Sequence, residues 1–248
     1  LNNFIALIGN KPILQVTRTD VLNFKSWCRD KIQEGWNTDT ANKQLRFVKD
    51  ILQTVATENQ LDIDADILFA KTKFQINTNS RPPFESDYVQ NTLLKGLETL
   101  NHKDKMVVYA IADTGARIAE IFGLASQDIF LDCEIPYIWI RARDGYNLKT
   151  KTSERKIPLV GTALYAFQQF PNGFEHGGNP DSFSGNVNKY LRTNNLKPTE
   201  QHSIYSLRHT FKDRLRDIEA PEEIIDGLMG HKKSGPKYGR GHKLETKY

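Results

Sequence analysis

The 248-residue chain is poor in sulfur, with two cysteines and two methionines. Cys28 and Cys133 lie far apart, outside any Cys-x-x-Cys or clustered Cys/His pattern, which excludes a disulfide scaffold and a zinc site of familiar spacing. A reducing compartment follows, with both thiols expected in cores. No apolar run approaches the roughly eighteen residues of a membrane helix. The longest near the start, Phe4 to Gly9, is far shorter, so neither membrane insertion nor a signal peptide is expected. Internal repeats and low-complexity tracts are also missing. The chain begins at Leu1 rather than Met, which leaves an upstream segment open.

What is present is ordinary globular composition: 38% hydrophobic and 26% charged residues, with three Trp and thirteen Phe, enough to bury a core in one large or two smaller domains. The formal charge of +4 is compatible with nucleic-acid binding and too mild to establish it.

Apolar spacing organises the first third. Thr19-Asp20 precedes Val21, Leu22, Phe24, Trp27, Cys28 and Ile32, the pattern of an amphipathic helix beginning at a Thr or Asp cap. Thr38-Asp39 similarly precedes Leu45, Val48, Ile51, Leu52 and Val55. The polar stretch between Phe74 and Pro83, ending in two prolines, reads as a linker. This divides the chain into a helical domain over 1–76, a linker over 77–83 and a larger domain over 84–248.

In the larger domain, Tyr88 to Leu100, Lys103 to Asp113 and Ile118 to Leu124 read as helices. Tyr137-Ile138-Trp139-Ile140 reads as a strand, Asp144-Gly145 as a turn, and Lys156 to Leu159 as the end of a return strand. From Asp181 helical patterns return, through Val187 to Arg192, Leu207 to Ile218 and Pro221 to Met229. The fold class expected is mainly α with a small antiparallel β-sheet, an α+β arrangement.

Four motifs stand in order. Thr114-Gly115-Ala116-Arg117-Ile118-Ala119-Glu120 puts an arginine just after a glycine turn; by itself, Arg117 paired with Glu120 one turn on would be an ordinary surface pair. Tyr205-Ser206-Leu207-Arg208-His209-Thr210-Phe211 opens a helix, Leu228-Met229-Gly230-His231 closes another, and a basic stretch from Lys232 to Arg240 carries Tyr238.

Together these motifs resemble the tyrosine recombinase (phage integrase) family, whose catalytic half carries Thr-Gly-x-Arg-x-x-Glu, a β-hairpin lysine, Leu-Arg-His-Thr-Phe, Gly-His and then a nucleophilic tyrosine. The likeness runs from about Arg81 to Tyr238, and the helical segment before it resembles the family's SAM-like core-DNA-binding domain. What the resemblance implies is a site-specific DNA recombinase, an integrase of a prophage or mobile element. It would cleave and rejoin duplex DNA through a 3′-phosphotyrosyl intermediate, with no cofactor, metal or ATP.

The implied catalytic residues are Arg117 and Arg208 on the phosphate, His231 binding the phosphate or assisting proton transfer, Tyr238 as nucleophile, and a hairpin lysine protonating the leaving 5′-oxygen. Two guanidinium forks suit the non-bridging oxygens, since each can donate paired hydrogen bonds. Lys149 and Lys151 both precede Thr and share a strand face by alternation. Lys149 is preferred because the family's lysine sits early in the hairpin, and Lys151 stays open either as that lysine or as a DNA-phosphate contact. The family resemblance further implies a homo-tetramer on recombining double-stranded DNA, a DNA-bending accessory protein, and a cytoplasmic, nucleoid-associated location in a bacterium.

The chain departs from the family in three places. Tyr205 stands where the family has histidine or lysine; its ordinary pKa of about 10 makes it a poor base, although its hydroxyl can hydrogen-bond a phosphate. His202 is nearby, one turn out of register. Tyr238 follows His231 by a shorter span than usual, and the residues after it are too few for the C-terminal helix that many relatives pack onto a neighbouring protomer. The first two departures keep a second reading open, a DNA-binding protein or regulator that retains the fold and no longer cuts.

Overall fold

In the computed structural model the described residues are 1–75, 81–143, 146, 153–174, 179–231 and 243–248. The chain divides into two compact units, Leu1–Asn79 and Ser80–Tyr248.

The first unit holds α1 (Asn2–Ile8), α2 (Arg18–Gln33), α3 (Thr38–Glu58) and the short α4 (Ala65–Leu68). Helix α2 starts ahead of the Thr19-Asp20 position the sequence suggested. Thr17 is the cap: its Oγ1 accepts from the Asp20 backbone N–H while Asp20 accepts from the Thr17 N–H, a reciprocal pair that satisfies two otherwise orphaned donors. Asn37 caps α3 through its side chain, by accepting from Asp39 N–H at 2.9 Å. The apolar faces then meet, with Val21, Phe24 and Cys28 of α2 against Ala41, Leu45, Val48 and Leu52 of α3. Phe4 from α1 closes the end of this core, its ring edge-on to Phe24 at 5.2 Å. Truncating Phe24, which is wholly buried, to Ala would cost about 3–5 kcal/mol.

In the second unit α5 (Ser86–Tyr88) runs on as a π turn over Val89–Leu93 and a 3-10 turn over Lys95–Leu97, so the expected helix over Tyr88 to Leu100 is irregular. Helices α6 (His102–Thr114) and α7 (Ile118–Phe122) follow. The sheet is antiparallel in the order β1 (Ile129–Phe130), β2 (Tyr137–Ile140), β3 (Arg155–Pro158), with Ile138 opposite both Ile129 and Ile157. After it come α8 (Gly161–Gln169), α9 (Pro180–Thr193), α10 (Ser206–Asp217), α11 (Glu222–Met229) and the single turn α12 (Leu244–Lys247). Helix α6 is apolar nearly all round, from Met106 through Ala112, because α8 and α10 cover it. Helix α8, β1 and α1 were not foreseen from the sequence.

Cys28 is buried in the first core, where burial pushes its thiol up to about 11. Cys133 contradicts the expectation of a core thiol: it lies exposed in the turn between β1 and β2, a segment too short to fold over it. Among the described residues no helix is long and apolar enough to cross a membrane.

Candidate functional site

Two left-handed glycines build the site. Gly115 ends α6 with φ 58° and sends its N–H back to Ile111 O; a Cβ here would run into the Phe211 ring, so both conformation and packing call for glycine. The chain reverses and presents Arg117 as the residue capping α7. Gly230 ends α11 in the same way with φ 62°, and its missing Cβ leaves room for Arg155, whose Nη1 would otherwise be 2.6 Å away. The turn delivers His231 just beyond.

Arg208 comes to this place from the first turns of α10 and is 2% exposed. Its Nη1 donates to Gly115 O and its Nη2 to Met229 O, so one guanidinium ties both glycine turns together. Arg117 reaches the next carbonyl along, with Nη2 3.5 Å from Gly230 O. The three sequence-predicted residues Arg117, Arg208 and His231 are therefore brought together. Lys149, Lys151 and Tyr238 lie outside the described residues, as do the Asp144-Gly145 turn and most of the expected linker.

The ordinary surface pair of Arg117 and Glu120 is present but not at the surface. Arg117 Nη1 lies 2.6 Å from Glu120 Oε1, and the Arg117 backbone N–H donates to Oε2 at 2.7 Å, with Glu120 only 5% exposed. Burial by itself would raise the carboxyl pKa; hydrogen bonds and charge from Arg155, joined by Arg117, instead bring it down to about 2. Glu120 is thus a fixed negative charge within a cluster of three guanidiniums.

Burial pulls Arg208 down, reinforced by the positive charge of Arg117, to about 10, so it stays protonated at neutral pH. His231 is also held below its usual value, first by burial and then by the charges of Arg208 and Lys212, which Asp226 only partly offsets. Arg208 Nη2 stands 3.4 Å from His231 Nε2. A guanidinium can only donate, so Nε2 accepts and the ring proton sits on Nδ1, facing Asp226 Oδ1 at 3.5 Å. Lys212 in turn approaches Asp226 at 3.7 Å.

Tyr205 precedes α10, with its ring edge-on to His209 at 5.4 Å and the Arg81 guanidinium 5.4 Å over it. His202 is structural: Nδ1 accepts from Thr199 Oγ1 at 2.8 Å while Nε2 donates to Pro83 O at 3.1 Å, pinning the segment that enters the second unit.

Sequence reasoning missed Arg155, Asp226 and Lys212. Arg155 was legible in one respect. It shares the buried face of β3 with Ile157, two residues on, so an inward-facing strand position holds a charge, which demands a partner.

What this arrangement can do is grip a tetrahedral anion: two guanidiniums converge beside an imidazole whose Nε2 meets one of them, next to carbonyl-fixed turns. No family model matches the chain. Solved structures do. A Tn1549 transposon integrase fragment in complex with circular intermediate DNA superposes with a TM-score of 0.65 at 17% identity, covering 94% of this chain and 90% of that one. A lambda integrase dimer bound to a COC′ core site gives 0.67 at 12% identity, covering 94% and 68%. The chain has the tyrosine recombinase fold. Sequence agrees: tyrosine recombinase XerC from Listeria innocua serovar 6a is 20% identical over 254 aligned positions, covering 93% of this chain and 80% of that protein. The second unit's three-stranded sheet and surrounding helices share the fold of tyrosine recombinase catalytic domains.

Proposed function

We propose that the protein is a site-specific DNA recombinase, the integrase of a prophage or other mobile element, acting through a 3′-phosphotyrosyl intermediate. The observation that carries this reading is the convergence of Arg117, Arg208 and His231 on two glycine turns from three separate motifs. The first unit takes the role of the core-DNA-binding domain, and duplex DNA is the substrate, as the solved relatives' complexes with DNA suggest.

In this mechanism Arg117 and Arg208 donate to the non-bridging oxygens of the scissile phosphate and offset the charge that builds as phosphorus becomes five-coordinate. The Tyr238 phenol oxygen forms its bond to phosphorus as the bond to the 5′-oxygen breaks. Neutral His231 has on Nε2 the lone pair that can take the Tyr238 phenol proton once Arg208 Nη2 turns from it to the phosphate, and Asp226 holds its tautomer. The leaving 5′-oxygen receives its proton from Lys149, with Lys151 on the DNA backbone. Bond energy is kept in the phosphotyrosine, so religation needs no ATP. Four protomers on two DNA sites, helped by a bending protein, would complete recombination in a bacterial cytoplasm.

Covalent trapping tests the reading. Incubated with nicked suicide duplexes carrying candidate attachment sites, the protein is expected to form a denaturation-resistant adduct whose mapped peptide contains Tyr238. An adduct at another tyrosine would move the nucleophile. No adduct on DNA shown independently to be bound specifically would replace this function with the non-cutting DNA-binding one. Affinity should fall steeply with salt, since each phosphate contact releases counterions.

A further inference from the structure

Arg155 is 6% exposed and makes four hydrogen bonds. Its Nη1 and Nη2 meet Glu120 Oε1 and Oε2 at 3.0 and 2.8 Å, a fork-on-fork pair, while Nε donates to Leu228 O at 2.6 Å and Nη1 to Ser153 O at 2.8 Å. Each Glu120 oxygen therefore has two donors. Oε1 takes Arg155 Nη1 and Arg117 Nη1; Oε2 takes Arg155 Nη2 and the Arg117 backbone N–H. A carboxylate has room for about four such bonds, so Glu120 is saturated.

The consequence falls on Arg117. It spends a single guanidinium nitrogen on Glu120, and among the described residues its Nη2 has only the long contact to Gly230 O. We infer that Arg155 is a positioning residue: by occupying one whole edge of the Glu120 carboxylate, it prevents Arg117 from forking onto that carboxylate and so keeps donors of Arg117 available to a phosphate oxygen. This rests on the recombinase reading for its use, though not for its geometry. Arg155 also grips the end of α11 and fills the space beside Gly230, so the same side chain sets the turn that carries His231. Lysine cannot replace it fully, because an ammonium is a point donor and cannot cover both oxygens in one plane.

The test uses the full chain in three variants: R155Q, R155K and the double E120Q/R155Q. In R155Q, Arg117 closes on Glu120. Single-turnover adduct formation at saturating protein should fall about a hundredfold, the scale of a misplaced catalytic contact, while DNA affinity changes less than about twofold. R155K should fall between. The double variant should cleave faster than R155Q, because a neutral amide no longer captures Arg117, a non-additivity that lost packing would not produce.

A second readout needs no cleavage: phenylglyoxal labelling of Arg117 in DNA-free protein, mapped by mass spectrometry, should slow several-fold in R155Q. If R155Q does not fold, slowed labelling and intermediate cleavage in R155K establish the same role for Arg155. Arg117 labelled at the native rate, with cleavage lowered only in proportion to the folded fraction, would overturn the proposal. So would a double variant slower than R155Q. Wild-type protein that binds DNA and forms no adduct would sink the recombinase function alone, and labelling would still decide the role of Arg155.

Discussion

Among the described residues of the second unit, two buried carboxylates each hold two arginines, and they have different uses. Asp128 is wholly buried; its Oδ1 takes Arg141 Nε at 2.8 Å, and its Oδ2 takes Arg143 Nη1 together with the Ala125 N–H at 3.0 Å. Arg141 then lies on the Trp139 ring at 4.1 Å, and Arg143 on the Tyr146 ring at 5.3 Å with Nη2 on Gly123 O. Rings and carbonyls close both guanidiniums, and the cluster fastens the 3-10 turn over Ser126–Asp128 to the end of β2. Around Glu120 a third arginine and a neutral histidine converge as well. A carboxylate between two arginines is thus a fastening in itself; it becomes a site when one guanidinium is left with donors to spare.

Arginine truncation should separate the two clusters most strongly. Arg208→Ala is expected to cut adduct formation by about 10²–10³-fold, the usual loss for one anion-stabilising donor, with DNA affinity within about tenfold. Arg141→Ala should leave the rate per folded molecule within about threefold. Equal losses in single-turnover assays would erase the distinction.

Both carboxylates matter to stability. Glu120→Ala and Asp128→Ala each strand buried guanidiniums and should cost about 3–5 kcal/mol in urea unfolding. Only the Glu120 variant should also lose cleavage beyond its unfolded fraction. A change under about 1 kcal/mol at either position would show that the pair is not balanced as its burial implies.

Acid titration distinguishes the Glu120 cluster further. Glu120 has its carboxyl lowered from 4.5 to about 2 in the fold. Its contribution, about 3 kcal/mol, is fully present above pH 4.5 and is lost as pH falls toward 2. Acid unfolding followed by circular dichroism should show the loss in the native protein and not in Glu120→Gln. His231 acts in the opposite chemical sense: its lowered pKa keeps it neutral at working pH, so protonation below its ordinary 6.5 should produce the acid limb of the cleavage profile. His231→Gln should remove that limb.

The smallest effect is expected at Tyr205. Tyr205→Phe keeps the ring against His209 and under Arg81 and loses only a hydroxyl, a change of about 0.5–1.5 kcal/mol or at most about tenfold in cleavage rate. Complete loss would make that hydroxyl essential.

Periodicity revealed α2, α3 and the strand pair because amphipathic spacing is local and repeats several times within each element. It did not reveal β1, whose two residues are too few to alternate, nor α8, which begins at Gly161 with φ 52°, separated from the end of β3 by two residues and without a side-chain cap. Arg117, Arg208 and His231 were legible through ordered motifs, each a few residues long. Arg155 was hidden because a strand pattern says which side a residue faces and not what it will meet there.

Local sequence settled which residues carry charge, where the main helices lie, and that glycines stand at the two turns demanding positive φ. The choice of partners was made only when the chain closed on itself. Arg208 meets a carbonyl 93 residues away, Arg117 one 113 away, and Arg155 a carboxylate 35 away and a carbonyl 73 away. Such pairings have no local signal, since hydrogen bonds are chosen by what remains unsatisfied once the apolar faces have packed.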